Sequence, residues 1–220
     1  MGQVLVIVES PEKSKKIQSL LGSDYLVKAS VGHVRDLPKK EMGVDESTLK
    51  PSYVISDTKH KLVANLRRLA KLSDDVILAT DADREGEAIA WHLKNVLNLT
   101  DQVRRVSYRE ITESAIRLAI ERAGTIDLNL VAAQEARRVL DRLIGYTISP
   151  ALSKRAGLTL SAGRVQSVAV GFVVNRERAI TRFRSRAYQT LTLRLAGHPN
   201  IKATPNLKPF VSENEKLWAI

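Results

Sequence analysis

Residues 76–93 read VILATDADREGEAIAWHL, and this stretch decides the fold. Its first residues are apolar without alternation, which is typical of a strand buried on both faces. Asp81 and Asp83 follow this strand, and the residues from Glu85 onward have helical periodicity. A strand followed by a short turn and a helix is the repeating unit of a parallel α/β sheet.

The rest of the first half repeats this unit. Residues 3–9, 25–31, 74–80 and 102–108 are the predicted strands, and residues 60–72 and 85–97 are predicted helices. Another helix follows the first strand, with Ser10 as its N-cap, Pro11 in its first turn and Gly22 after its end. We therefore expect an α/β fold with a Rossmann-like, parallel sheet.

The character of the chain changes after residue 109. Three amphipathic helices are predicted from TESAIRLAIERA, LNLVAAQEARRVLDRLIGY and GRVQSVAVGFVVNRERAITRF, with no strand between them. Alternation of apolar and polar residues with a period of two returns only at residues 188–197. We therefore expect a mainly helical segment, followed by the start of a strand-rich region.

The acidic turn after the strand of 74–80 is the first candidate site. Asp81 and Asp83 are two apart, so an extended backbone sends both side chains to one side of the carboxyl edge, where open α/β sheets bind ligands. Glu9 ends the first strand and points into the same crevice if the two strands are neighbours. With Glu85, three or four carboxylates would converge, and such an oxygen-rich site suits Mg²⁺. The alternative is that the acids only cap a helix and favour its dipole, for which Glu85 and Glu87 are well placed.

The composition narrows the class of protein. The chain of 220 residues carries a formal net charge of +11 and no cysteine. This positive charge favours a polyanionic partner such as nucleic acid or an acidic membrane surface. A metal site without cysteine has to use carboxylates, histidines or water. No apolar run reaches the roughly 18 residues of a membrane span, and the first residues lack the marks of a signal peptide, so we expect a cytoplasmic protein.

Basic residues concentrate in the second half of the chain. Residues 131–186 contain eleven Lys or Arg and three acidic residues, which is typical of a surface that binds phosphates. Arg138 and Arg142 are four apart on one predicted helix face, so both guanidinium groups could follow one DNA strand, with Lys154 further along. A solvated helix face is the alternative. The sequence SAGRVQS places small residues before a helix, where backbone amides can approach a nucleotide.

Six motifs together resemble the amino-terminal part of the type IA DNA topoisomerases, of the bacterial topoisomerase I kind. In chain order they are VIVESPEKSKKI, SVGHVRDLP, ATDADREGEAIAWHL, REIT, AQEARRVLDRLIGY and LSAGRVQSVAV. The resemblance covers residues 1–187 and implies a TOPRIM metal-binding domain at residues 1–124. It further implies a helical DNA-binding segment at 125–187 and the incomplete start of a strand-rich arch domain at 188–220.

The resemblance also implies roles for single residues. Glu9 would lie beside the phosphate that is cut, and the acids after the third strand would hold the Mg²⁺ needed for religation. Lys13 would stabilise negative charge that develops on the same phosphate. The implied catalytic residues are Glu9, Lys13 and Arg84, and the implied metal ligands are Glu9, Asp81, Asp83 and Glu85. The implied DNA contacts are His33, Arg105, Arg138, Arg142, Lys154, Ser161, Gly163, Arg164 and Gln166.

The implied activity is relaxation of negatively supercoiled DNA by Mg²⁺-dependent breakage, passage and religation of one strand. The implied partner is DNA in single-stranded segments, with no membrane and no small-molecule cofactor, and we expect a monomer. Type IA enzymes cut with a tyrosine in an MRTDS-like motif, and none of the five tyrosines has that context. We therefore expect the nucleophile outside these residues and an inactive isolated chain.

Two other functions fit part of the pattern. A free-standing TOPRIM nuclease would use the same acids to activate water, and the AQEARR and SAGRVQ segments disfavour it. A non-catalytic DNA-binding module would need the basic helices but not the converging acids. Both alternatives keep a nucleic-acid partner.

Overall fold

The computed structural model describes residues 3–185, 192–194, 196–197 and 202–203. The chain divides into two compact units, residues 1–164 and residues 165–220. Among the described residues, no helix combines the length and the apolar character needed to cross a lipid bilayer. The predicted domain boundaries after residues 124 and 187 stay predictions.

The first unit is built on a parallel sheet. Its strands are β1 (Val4–Val8), β2 (Tyr25–Ala29), β3 (Arg35–Asp36), β4 (Val54–Ile55), β5 (Asp75–Leu78) and β6 (Arg104–Arg105). Four of them form one sheet in the order β2-β1-β5-β6, and every neighbouring pair is parallel. The predicted Rossmann-like α/β fold is therefore confirmed.

The helices α1 (Pro11–Leu21) and α4 (Glu113–Glu121) cover one face of this sheet, and α2 (His60–Leu72) and α3 (Arg84–Leu97) cover the other. The helix α5 (Leu128–Leu143) packs against α3, and α6 (Ser149–Ala156) follows it. Alternate residues of β1 point to opposite faces, so Leu5 packs in one core with Leu66 of α2 and Leu93 of α3. Val6 packs in the other core with Ile17 of α1. Burial on both faces explains why β1 is apolar without alternation.

The signals at the ends of α1 act as predicted. The hydroxyl of Ser10 accepts a hydrogen bond from the Lys13 amide, and Pro11 lies in the first turn. The helix ends at Gly22, which has a φ of 79°. This start places Lys13 one turn from the carboxyl end of β1.

The structure adds detail where the sequence predicted a loop or one long helix. The strands β3 and β4 form an antiparallel pair within the predicted loop region. A π-helical turn at Ile144–Ile148 joins α5 directly to α6, which was not predicted as a separate helix. Gly145 within this turn and Pro150 in the first turn of α6 were the available sequence signals for a new helix.

The second unit contains α7 (Gln166–Arg182), as predicted. It also contains the antiparallel strands β7 (Leu193–Arg194) and β8 (Lys202–Ala203). Most of the strand predicted at 188–197 lies outside the described residues, and so does Tyr188.

Candidate functional site

The candidate site lies where the order of the sheet reverses. From β1 the chain passes to β2 on one side, and it later returns to β5 on the other side of β1. Glu9 directly follows β1, and Asp81 lies just beyond β5. The carboxyl ends of these neighbouring parallel strands form a crevice. Such a reversal point is where open α/β sheets bind ligands.

Lys13 connects the two acids in this crevice. Its ammonium group donates hydrogen bonds to Glu9 Oε1 and, at 2.5 Å, to Asp81 Oδ1. Burial alone would lower the pKa of Lys13, but the two carboxylates outweigh it and raise that pKa. Burial raises the pKa of Glu9. The pKa of Asp81 is lowered, because Lys13 outweighs the opposing effect of burial.

The other acids of the motif turn to other partners. Asp83 caps α3 by accepting a hydrogen bond of 2.7 Å from the Gly86 amide. Glu85 accepts a hydrogen bond of 2.7 Å from Gln134 of α5 and pairs with His33. These two partners lower the pKa of Glu85 against the effect of burial. Each acid of the motif therefore has a different local role.

Only part of the predicted cluster of carboxylates comes together here, since Glu9 and Asp81 meet while Asp83 and Glu85 contact other partners, and the metal site stays a prediction. Among the described residues, no group of three or more His, Asp or Glu side chains is arranged to hold a metal ion. The physical reason is that Lys13 already neutralises Glu9 and Asp81, while Asp83 and Glu85 are held by α3 and its neighbours. The chemistry of the donors still fits a hard cation, because all four are carboxylates.

Gly86 fixes the distance between α3 and the acidic turn. A Cβ atom at this position would lie 2.3 Å from the carbonyl oxygen of Asp81 and 2.8 Å from its amide nitrogen. Thr80 strengthens the same contact by donating a hydrogen bond of 2.6 Å to the Gly86 carbonyl. Only glycine allows this approach, so Gly86 is a functional position that our sequence reasoning missed. Its place in the first turn of a helix, beside the acids, was the available signal.

Arg105 lies beneath the acidic turn rather than at the surface. Its side chain is 4% exposed and forms an ion pair of 2.9 Å with Glu87 of α3. It also donates to the carbonyl oxygens of Thr80 at 2.9 Å and Asp81 at 2.7 Å. The donors of Arg105 are used inside the protein, and its role as a DNA contact stays a prediction. Its role is to hold the backbone of the acidic turn.

Glu87 extends this buried pair to α5. Its second carboxylate oxygen accepts a hydrogen bond of 2.7 Å from the amide of Asp127. Asp127 in turn caps α5 through the amides of Asn129 and Leu130. The acidic turn, α3 and the start of α5 are thus joined by one polar network. The sequence marked Glu87 only as a residue that favours the helix dipole.

His33 reaches the site from the segment after β2. The two residues before it, Val31 and Gly32, have φ values of 56° and 78°. A β-branched residue in the left-handed region is unusual and strained. The Gly32 amide donates a hydrogen bond of 2.9 Å to the Glu9 carbonyl, which ties this turn to the end of β1. The turn directs His33 to Glu85, and its role as a DNA contact stays a prediction.

The basic face predicted on α5 packs against the protein. Arg138 makes two hydrogen bonds, at 2.8 and 2.7 Å, to the carboxylate of Asp36. Arg142 is 7% exposed and donates to the carbonyl oxygens of Leu37, Pro38 and Glu41. Arg142 is therefore buried, whereas the Arg138 side chain is 39% exposed, and the DNA contacts of both residues stay predictions. Both guanidinium groups anchor the segment of residues 36–41 to α5.

The remaining predicted DNA contacts lie near α6. Lys154 is exposed in its last turn. Arg164 forms an ion pair of 3.0 Å with Asp141 of α5. The segment that contains Ser161 and Gly163 is attached to α6, because the hydroxyls of Ser149 and Ser153 accept hydrogen bonds of 2.9 Å from the amides of Ala162 and Leu160. Gln166 begins α7 in the second unit. Arg84 is exposed at the start of α3.

A cavity of about 340 Å³ lies beside the acidic turn and α5. Arg35 of β3 lines it, and its guanidinium group lies over the rings of Tyr53 and Trp91, at 5.5 and 5.0 Å from their centroids. Its Nε donates to Nδ1 of His92 at 3.1 Å. Burial, together with Arg35, lowers the pKa of His92 to about 3, so this histidine is neutral. Our sequence reasoning missed this aromatic group, because its members are spread over three elements.

Comparison with known proteins agrees with this architecture. The Toprim domain family matches residues 4–112, and the DNA topoisomerase family matches residues 125–218. The plasmid DNA topoisomerase I of Xylella fastidiosa is 54% identical over 180 residues, which are 82% of this chain and 27% of that protein. DNA topoisomerase 1 of Aquifex aeolicus is 54% identical over 186 residues, which are 84% of this chain and 34% of that protein.

A solved structure gives the same result. Full-length topoisomerase I from Thermotoga maritima matches 98% of this chain and 37% of its own chain, with a TM-score of 0.84 and 41% sequence identity. The chain spans about a quarter to a third of the length of the curated relatives. By sequence and by fold, the chain belongs to the bacterial type IA DNA topoisomerases and corresponds to their amino-terminal part.

Proposed function

We propose that this chain is the metal-binding and DNA-binding part of an enzyme that relaxes negatively supercoiled DNA. The reaction is Mg²⁺-dependent breakage, passage and religation of one strand, and the nucleophilic tyrosine belongs to a part of the enzyme outside these residues. The relatives named DNA topoisomerase support the activity. We further propose that the protein acts as a monomer in the cytoplasm.

One observation supports this proposal most strongly. Glu9, Lys13 and Asp81 meet in the crevice between β1 and β5. A proton acceptor, a cation and a second acid within hydrogen-bond distance of each other suit the transfer of a phosphoryl group. A module that only binds DNA would not need this arrangement beside a strained turn and a buried ion pair.

Each residue of the crevice has a proposed task. Glu9 exchanges a proton with the oxygen that leaves or attacks the phosphorus, and its raised pKa favours that exchange. Lys13, with Arg84 at the start of α3, stabilises charge on the phosphate oxygens. Toprim domains of topoisomerases generally bind metal, and here Asp81, Asp83 and Glu85 would hold it with Glu9. When bound, Mg²⁺ supplies positive charge that offsets that of the phosphate during religation.

The DNA strand is proposed to run from the crevice across the cavity and toward α6. His33 and Arg138 border the cavity, and Lys154 and Arg164 extend the positive charge beyond it. Phosphate contacts of this kind position a strand without reading its sequence. Lys154 is the clearest candidate, since its exposed ammonium group makes no hydrogen bond or ion pair within the described part of the chain.

Fluorescence anisotropy with a labelled single-stranded oligonucleotide tests the DNA surface. We expect Lys154→Ala with Arg155→Ala to reduce the magnitude of the salt slope by about 1 to 1.5, because each phosphate contact to a single strand contributes about 0.7. The control is Lys61→Ala with Lys71→Ala, which removes the same charge from the exposed side of α2. Equal slopes for the two double variants would contradict the proposed surface.

A further inference from the structure

Lys13 occupies the position between Glu9 and Asp81 that a bound cation would take. The backbone of Lys13 is fixed in the first turn of α1, because its amide donates a hydrogen bond to the hydroxyl of Ser10. Its ammonium group donates to one oxygen of each acid. The side chain of Lys13 is only 25% exposed, and those of Glu9 and Asp81 are 20% and 40% exposed. The contact is therefore a part-buried ion triad rather than a loose surface pair.

A divalent cation at these two oxygens would compete with the ammonium group. Mg²⁺ binds oxygen ligands at about 2.0–2.1 Å, closer than the ammonium group approaches them in a hydrogen bond. Repulsion between two positive charges this close together disfavours binding of both to the same oxygens. Metal binding to Glu9 and Asp81 is therefore favoured when the ammonium group moves away.

We propose that Lys13 is an internal cation that competes with the divalent metal for Glu9 and Asp81. Without metal, Lys13 neutralises the two acids and keeps them together in the crevice. When metal binds, the ammonium group leaves both acids without giving up its proton. It is then free to pair with an anion that enters the crevice. This inference rests on the proposed function, and it adds that metal binding and the release of Lys13 are one exchange.

The other acids do not offer the same exchange. If Asp83 turned to a metal, α3 would lose only one N-cap hydrogen bond. An asparagine in place of Asp83 could still supply that hydrogen bond. Glu85 is held by a neutral amide of Gln134 and by His33. Lys13 alone, within the part of the chain that the structure describes, places a permanent positive charge between two acids of the crevice.

Titration of the 220-residue chain with Mn²⁺, followed by electron paramagnetic resonance of the free ion, tests the exchange. We expect Lys13→Met to bind Mn²⁺ about tenfold more tightly than the unchanged chain, because a competing ion pair is removed. Lys13→Arg keeps a competing cation and should bind no more tightly than the unchanged chain. Lys15→Met is the control for charge, since Lys15 is exposed on the same helix.

A second readout follows the lysine directly. Acetylation of the folded chain, followed by mass spectrometry, should modify Lys13 at least threefold faster with saturating Mg²⁺ than without it, whereas Lys15 should be unaffected. Equal Mn²⁺ affinity of Lys13→Met and Lys15→Met would overturn the proposal, and so would labelling of Lys13 that ignores Mg²⁺. If none of the variants binds Mn²⁺, the proposed metal site fails together with the exchange. If Mn²⁺ binds but Lys13→Met does not change its affinity, the exchange is refuted and the proposed metal site still stands.

Discussion

Replacement of Arg142 by alanine should destabilise the first unit strongly. The guanidinium group is 7% exposed and donates to the carbonyl oxygens of Pro38 at 2.6 Å, Glu41 at 2.9 Å and Leu37 at 3.3 Å. It also lies 4.4 Å from the ring centroid of Tyr146. Loss of this side chain therefore removes the main attachment between α5 and the segment of residues 37–41.

The size of the effect follows from these contacts. A hydrogen bond from a charged donor contributes about 1.5–3 kcal/mol, but water can reach part of the segment and replace some of the loss. We therefore expect Arg142→Ala to lower the free energy of unfolding by about 2–4 kcal/mol. Arg155→Ala is the matched control and should change it by less than about 0.5 kcal/mol, because Arg155 is exposed.

Urea denaturation followed by tryptophan fluorescence measures this difference, since Trp91 lies beside Arg35 and Tyr53 in the first unit. Limited trypsin digestion gives a local measure, because Lys39 and Lys40 lie within the segment that Arg142 holds. We expect Arg142→Ala to be cut there faster than Arg155→Ala. Equal unfolding free energies for the two variants would refute the view that Arg142 has a structural role.

Three further predictions concern the crevice and its surroundings. Gly86→Ala should lower the free energy of unfolding by about 1–3 kcal/mol and weaken Mn²⁺ binding, because its Cβ must displace the acidic turn; unchanged calorimetric melting would contradict this. Asp83→Asn should leave the melting temperature unchanged, since asparagine caps a helix equally well, but should weaken metal binding in the Mn²⁺ titration. Asp83→Ala should lower the melting temperature and weaken metal binding. The pKa of His92 is about 3 in the folded chain against an ordinary 6.5, so the unfolded chain takes up the proton first as the pH is lowered. The free energy of unfolding should therefore stay level above pH 7 and should fall by up to about 1.4 kcal/mol for each pH unit that the pH is lowered below about 6. Urea denaturation of His92→Gln over the same pH range should show a shallower fall.

The sheet and most helices were predictable from the sequence because local signals agree with the fold. Residues 5–8 are buried on both faces, and the strand is accordingly apolar throughout. Ser10 and Gly22 mark the ends of α1 by side-chain and backbone chemistry that depends on few neighbours. The predicted meeting of Glu9 with Asp81 needed one further step, the parallel pairing of β1 with β5.

The partners of the charged groups were not predictable in the same way. The sequence shows that Arg138 and Arg142 lie four apart, but not that residues 36–41 fold back over that face. The same limit explains Arg105, whose partner Glu87 is far away in the sequence and comes close only through the packing of α3 on the sheet. From the sequence alone, a basic residue is taken for a surface charge. Arg105 and Arg142 instead donate mostly to backbone carbonyls, which the sequence does not identify as partners.

The most direct test of the account is the dependence of metal affinity on DNA. Isothermal titration calorimetry should show weak Mg²⁺ binding by the chain alone, because Lys13 occupies two of the acids, and tighter binding when single-stranded DNA is present, because phosphate oxygens complete the site and attract the ammonium group. Asp81→Asn with Asp83→Asn should abolish this gain. Mg²⁺ binding that is equally strong with and without DNA, or that survives both substitutions, would contradict the assignment of the crevice as the metal and DNA site.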